Sequence, residues 1–239
     1  MLEVKNIDAF RGPAHVLHGV SLSVHENEVV CLVGRNGAGK TTTMEGIMGF
    51  LPVSSGQILF HGEVINSLPV HQRARRGMGY APEGCEIFPE LTVAENMMIS
   101  RWMSVKARRR LQALAEGDVE ERVFSVFPEV RDLLHRQGMN LSGGQRKMVA
   151  IARGMALAPT LLLLDEAFEG LAPVVVKRFR DAVLKIEDLG ISLLIAESNL
   201  VNAASVADRL YAIDRGEIIF EGTPQQALQD ASVMKALRG

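Results

Sequence analysis

The sequence predicts an α/β protein: a mainly parallel core sheet, an antiparallel β region at its N-terminal end, and a helical subdomain over about residues 85–157. Three observations carry this. Short, unbroken apolar runs (Val29–Val33, Thr160–Leu164, Ser192–Ala196) suit strands buried on both faces. Residues 2–24 instead alternate apolar and polar, the pattern of a half-buried antiparallel strand region. From residue 85 to 157 the apolar spacing turns helical.

Along the chain, Leu2, Val4 and Ile7, then Val16, Leu17, Val20, Leu22 and Val24, supply the alternation, and Gly12-Pro13 breaks it. Glu28–Val33 forms the first core strand, a glycine-rich loop follows, and Lys40–Met48 reads as a helix. In the helical segment, Thr92–Arg101, Lys106–Leu114, Val119–Phe127 and Gly144–Leu157 carry apolar residues at helical spacing. The basic cluster Lys106, Arg108, Arg109 and Arg110 lies here, a solvated helix face or a contact for headgroups or a partner. Strand–helix alternation then resumes. Thr160–Leu164 and Ser192–Ala196 are strands, Val174–Leu189 and Asn199–Ala207 helices, and two short strands flank Asp214-Arg-Gly216. With no low-complexity linker and no solenoid repeat, residues 1–239 read as one domain.

Bulk properties exclude several classes. A net charge of −2 and a pI near 6.3 lack the basic footprint of a nucleic-acid binder. Two cysteines, Cys31 and Cys85, make neither a disulfide framework nor a metal site, which favours a reducing compartment. The start lacks the regions of a signal peptide, and no apolar run approaches the ~18 residues of a membrane span. Service to a membrane would need a partner.

Chemistry is carried by three motifs. Gly34-Arg-Asn36-Gly37-Ala38-Gly39-Lys40-Thr41-Thr42 fits GxxxxGK[ST] between a strand and a helix, the context of a phosphate-binding loop on a P-loop (RecA-like) core. Its glycines let backbone N–H groups face phosphate oxygens, and the helix beginning near Lys40 adds its positive end. Lys40 should reach the terminal phosphates and Thr41 should ligand Mg²⁺. Second, Leu161–Leu164 runs into Asp165-Glu166: Asp165 at the sheet's C-terminal edge suits Mg²⁺, and Glu166 suits the activation of a water. Third, Leu141-Ser142-Gly143-Gly144-Gln145 places two glycines and a serine at a helix start, a second anion site.

Together these motifs, in this order, resemble ABC ATPases, whose LSGGQ signature the third one matches, and the resemblance covers almost the whole chain. It implies that ATP and Mg²⁺ are bound, that Glu166, Lys40 and Ser198 serve catalysis, and that Thr41, Asp165 and Glu83 serve the metal. It further implies a dimer with a second ATPase subunit, identical or not, in which Ser142 to Gln145 close over the partner's γ-phosphate. Permease subunits, and through them a solute-binding protein, complete the implied assembly. Its place is peripheral, on the cytoplasmic face of a bacterial inner membrane. Glu83-Gly84 and Gly170-Leu-Ala172-Pro173 resemble the second ATPase subunit of branched-chain amino-acid-type importers.

Departures from the family pattern qualify this expectation. Where an aromatic residue usually stacks on adenine, Ala9-Phe10-Arg11-Gly12 places arginine. Phe10 could substitute after a small shift or could be core, and Arg11 could stack its guanidinium plane. Glu83 replaces a glutamine, Ala172 an aspartate, and Phe168 and Glu169 depart even from the subfamily. Ser198 stands where most members carry a histidine on the γ-phosphate, which predicts slower or more partner-dependent hydrolysis. Two other readings remain: a degenerate regulatory subunit with little turnover, and a non-transport ABC ATPase.

Overall fold

The computed structural model describes residues 1–102 and 116–238. Strand β1 (Leu2–Arg11) pairs antiparallel with β2 (Ala14–Val24) and β4 (Val53–Phe60), and β5 (Glu63–Val64) completes a sheet ordered β2-β1-β4-β5. Leu2, Val4, Ile7 and Ala9 are buried, as the alternation requires. The three-residue step from Val4 to Ile7 breaks strict alternation. A register shift absorbs it, with Asn6 in the left-handed region at φ 48°. Strands β4 and β5 have no counterpart in the sequence reading, because Ser54-Ser-Gly-Gln57 is exposed and carries no apolar signal.

The second sheet is ordered β10-β9-β3-β8-β7-β6. Here β3 is Val29–Val33, β6 Met78–Ala81, β7 Leu161–Asp165, β8 Ser192–Glu197, β9 Arg209–Asp214 and β10 Glu217–Gly222. All pairings are parallel except β10 with β9. Every residue of β3, β7 and β8 is buried, which explains their unbroken apolar runs. The strands' two-residue period then divides two cores. Val29, Cys31, Val33, Leu162, Leu164, Leu193 and Ile195 face a helical layer. Val30, Leu32, Leu161, Leu163, Leu194 and Ala196 face the antiparallel sheet.

Register brings three strand ends level. Val33 pairs with Glu197, and Asp165 with Ala196, so the loops after β3, β7 and β8 leave the sheet side by side at its C-terminal edge.

The helices are α1 (Lys40–Met48), α2 (Val70–Arg75), α3 (Val93–Trp102), α4 (Glu116–Val126), α5 (Pro128–Leu133), α6 (Gly143–Met155), α7 (Pro173–Asp188), α8 (Leu200–Ala204), α9 (Pro224–Gln229) and α10 (Ala231–Arg238). Within the helical segment, α3, α4 and α6 fall on the predicted stretches Thr92–Arg101, Val119–Phe127 and Gly144–Leu157, and α5 and a 3₁₀ turn at Gly138–Asn140 are additional. Pro128 at the first position of α5 separates it from α4. The expected helix Lys106–Leu114 and its basic cluster lie outside the described residues. Among the described residues, no helix is long and apolar enough to cross a membrane.

Candidate functional site

The loop between β3 and α1 curls back over the sheet edge. Gly39 begins α1 in the left-handed region at φ 114°, a conformation that glycine adopts without a Cβ penalty. At Gly34 a Cβ would lie 2.5 Å from the carbonyl oxygen of Ile213, so only glycine lets the loop pass β9. The result is a cleft of about 420 Å³ lined by Arg11, Val16, Asn36, Gly37, Gly39, Lys40, Thr41, Thr42, Glu83, Glu166 and Glu169. Of the phosphate-loop residues named from sequence, Gly34 and Ala38 support this wall from behind, and Ala38 is buried.

Lys40 is buried, and its ammonium is ringed by acceptors. It donates to the carbonyls of Gly34 (2.8 Å) and Arg35 (3.1 Å) and to Ser198 Oγ (3.0 Å), and it pairs with Glu166 Oε1 at 2.9 Å. Ser198 shares its one hydroxyl proton between Glu166 Oε1 (2.6 Å) and Asn36 Oδ1 (2.9 Å), and its backbone N–H donates to Glu166 Oε2 at 3.1 Å. All three residues named as catalytic therefore meet at one point. The Ser198 hydroxyl holds the carboxylate of Glu166, a partner not expected from sequence, which predicts only a phosphate contact. Glu166 itself is left-handed at φ 49°, a conformation costing about 1–2 kcal/mol that clusters at functional sites.

Asp165 lies beside this point, 3% exposed, and its Oδ1 has no hydrogen-bond partner. The Tyr80 hydroxyl donates to Oδ2 at 3.4 Å. Burial pushes the Asp165 carboxyl up to about 6, opposed by the Thr41 hydroxyl and reinforced by the carboxylates of Glu166 and Glu83. An unpaired buried carboxylate oxygen beside a hydroxyl and two further carboxylates fits a hard cation. Among the described residues, no cluster of His, Cys, Asp and Glu could hold a metal by itself. Mg²⁺ takes one or two protein carboxylates and fills its shell from phosphates and water. Thr41, Asp165 and Glu83 are the residues that would hold it.

At the other end of the cleft, the two adenine candidates part. Successive strand residues face opposite ways, so Arg11 and Phe10 cannot both line the cleft. Arg11 does: its guanidinium donates to Thr42 Oγ1 (3.2 Å) and pairs with Glu45 on α1. Phe10 points away. It is neither core nor cleft wall, being 43% exposed and stacked on His15 at 4.3 Å. Arg11→Tyr should therefore tighten ATP binding by about tenfold, since a base on an aromatic face gains ~1–3 kcal/mol. Titration with a fluorescent ATP analogue measures it, and unchanged affinity would remove Arg11 from the base site.

The signature forms a helix start. Ser142 caps α6, its Oγ accepting from Gln145 N (3.3 Å) while Gln145 Oε1 accepts from Ser142 N (2.9 Å). A Cβ on Gly143 would meet nothing within 4 Å, so packing within the chain does not call for glycine there. Ser142 and Gly143 are exposed and do not line the Lys40 cleft. A surface free of side chains at a helix N-terminus suits close approach by an anion from outside this chain.

Three further residues escaped the sequence reading. Tyr80 reaches Asp165 from β6. Lys147, on α6, donates to the carbonyls of Glu166 (2.6 Å) and Glu169 (2.7 Å). Glu197 ends β8 fully buried, with Oε1 accepting from Asn199 N at 2.9 Å and Oε2 unpaired. Burial raises its carboxyl to about 7, against the N–H groups of Asn199, Phe168 and Ser198, with Glu166 adding to the rise. A signal existed for Glu197: Leu193-Leu-Ile-Ala-Glu197 ends in a carboxylate as Leu161–Asp165 does.

Comparison with known proteins agrees with this geometry. Residues 17–169 match the family model described as ABC transporter. Over 239 residues the chain is 37% identical to the lipopolysaccharide export system ATP-binding protein LptB of Escherichia coli K12, spanning 100% of this chain and 97% of the relative. It is 31% identical to the high-affinity branched-chain amino acid transport ATP-binding protein BraG of Pseudomonas aeruginosa, with 100% of both chains covered. Among solved structures, an ATP-binding cassette of an ABC transporter in its ADP conformation superposes with a TM-score of 0.83 at 29% identity, covering 100% of this chain and 98% of that one.

Proposed function

This chain belongs to the ABC transporter family of ATP-binding subunits, and we propose that it powers the uptake of branched-chain amino acids or similar small solutes into a bacterial cell. ATP is bound with Mg²⁺, its hydrolysis is coupled to transport, and such subunits dimerise and pair with permeases. The observation that carries ATP hydrolysis is the convergence of Lys40, Asp165, Glu166 and Ser198 on one sheet edge, with the signature facing outward. In the proposed mechanism, the Lys40 ammonium and the loop's N–H groups hold the phosphates, and Thr41, Asp165 and Glu83 would hold the cation, which would offset charge on the phosphates. Glu166 takes a proton from the attacking water, held in line by the Ser198 hydroxyl. The ATP-charged sites bind two subunits together and hydrolysis releases them, which moves the permease between two states.

The permease needs a seat. An apolar groove of about 560 Å³, lined by Met48, Phe50, Val70, Tyr80, Phe88 and Ile99 among others, opens between the core and the helical segment. Tyr80 lines that groove and hydrogen-bonds Asp165, so a permease segment seated there would touch the metal site through one side chain. This supports peripheral attachment through a membrane partner.

Uptake is supported by Glu83-Gly84 and Gly170–Pro173 and by the likeness to BraG. The higher identity to LptB favours a second reading, export of a lipid. The test is to purify the chain with its membrane partners and reconstitute them in vesicles with the cognate solute-binding protein. Leucine or a similar solute should stimulate ATP hydrolysis. Stimulation by lipopolysaccharide instead would overturn uptake.

A further inference from the structure

The signature and the hydrolytic carboxylate of this chain serve different ATP molecules in the proposed dimer, yet one side chain joins them. Lys147 lies two residues after Gln145, within the first turns of α6, the helix whose start is the Ser142 capping box. Its ammonium donates to the backbone carbonyl of Glu166 at 2.6 Å and to that of Glu169 at 2.7 Å. Those carbonyls bracket a tight turn, closed by Glu169 N donating to Glu166 O at 3.2 Å. The turn begins at left-handed Glu166, and its next two residues, Ala167 and Phe168, are buried. Lys147 thus grips the backbone of the residue whose carboxylate meets Lys40 and Ser198.

Two features make this grip specific. The turn is held from another helix by a charged donor, as the carbonyls of Gly34 and Arg35 are held by Lys40. Charge-assisted hydrogen bonds are about twice as strong as neutral ones, so the turn should follow the helix. A left-handed glutamate also persists only while the contacts around it determine its conformation, so a displacement of the group bonded to its carbonyl bears directly on it.

We propose that Lys147 is a positioning residue that couples the two ATP sites: closure of Ser142–Gln145 on the partner's γ-phosphate draws α6 inward, and Lys147 passes that movement to the backbone of Glu166. Hydrolysis in one site then waits for occupancy of the other. The inference rests on the sandwich dimer of the proposed function.

A double-mutant cycle on the purified, reconstituted transporter tests it, with Ser142→Ala, Lys147→Gln and their combination, and Lys147→Arg as the conservative control. Lys147→Gln should lower kcat about tenfold, with KM for ATP and Tm unchanged, and Lys147→Arg should restore most of the loss. With Ser142→Ala already present, Lys147→Gln should cost less than about twofold, because the relay has lost its input. Effects that multiply independently would overturn the coupling, as would an unchanged kcat or a Tm that falls in step with kcat. The dimer is checked separately with Glu166→Gln. If ATP does not dimerise that variant, the sandwich fails and the relay with it. If it dimerises while the cycle is additive, the relay alone fails.

Discussion

Glu166→Gln should lower steady-state ATP turnover by about a thousandfold while an ATP-bound dimer accumulates. The magnitude is that of a general base, typically 10²- to 10⁴-fold. The amide keeps the size and the acceptor of the carboxylate but cannot take a proton from water. It also removes the negative partner of Lys40. Lys40 then keeps the carbonyls of Gly34 and Arg35, the Ser198 hydroxyl and a neutral amide oxygen, and phosphate no longer competes with a carboxylate for its ammonium. Binding should therefore hold or tighten as hydrolysis stops, and the dimer should persist. Phosphate release and size-exclusion chromatography with ATP measure both halves. A degenerate regulatory subunit predicts a different result, namely low turnover in the parent chain and little change on substitution. Retained turnover in Glu166→Gln would move the base to another residue.

Glu197→Gln should stabilise the protein by about 2 kcal/mol at pH 8 and leave it unchanged near pH 4. Burial raises this carboxyl from 4.5 to about 7. The folded state therefore holds its proton at pH values where the unfolded chain has released it. As pH rises from about 4.5 to 7 stability drains away, and above 7 the full penalty of a buried charge stands. Gln resembles the protonated acid, and its carbonyl can still accept from Asn199 N, so the penalty disappears. The unpaired position of Oε2 remains unpaired in the amide, which keeps the gain below the full linkage value. Urea unfolding of both proteins from pH 4 to pH 8 measures the difference. A stability difference that does not grow with pH would contradict a raised carboxyl at this position.

What the sequence revealed and what it hid follow from contact range. The phosphate loop, the Asp165-Glu166 pair and the helix start at Ser142-Gly143-Gly144 are local: each is a short run with its strand or helix attached, and each takes the predicted form. The core strands were legible because burial on both faces writes itself as unbroken apolar runs. Tyr80, Lys147 and Glu197 act on distant partners. Lys147 meets Glu166 only because α6 packs beside β7, and no spacing rule encodes that. Ser198 was noticed for the histidine it replaces, but its partner Glu166 is 32 residues away, and only the β7–β8 register joins them. The ambiguity between Phe10 and Arg11 was decidable in principle, since a strand sends neighbours to opposite faces and β2 shows which face is buried. Strand β4 was hidden by its exposed run at residues 54–57, and β5 by being only two residues long.

The level strand ends after β3, β7 and β8 carry a consequence for how the chain tolerates change. Each chemical group is addressed by a count of residues from a shared hydrogen-bonded ladder. Deleting one residue within β8 would retract Ser198 by about 3.3 Å and turn the following side chain to the other face. The carboxylate of Glu166 would lose its holder although every catalytic residue was still present. Substitutions at this edge can therefore be graded in effect, whereas a change in strand length is all or nothing. A change in length costs least in segments that carry no group of the cleft or of the Ser142–Gln145 signature.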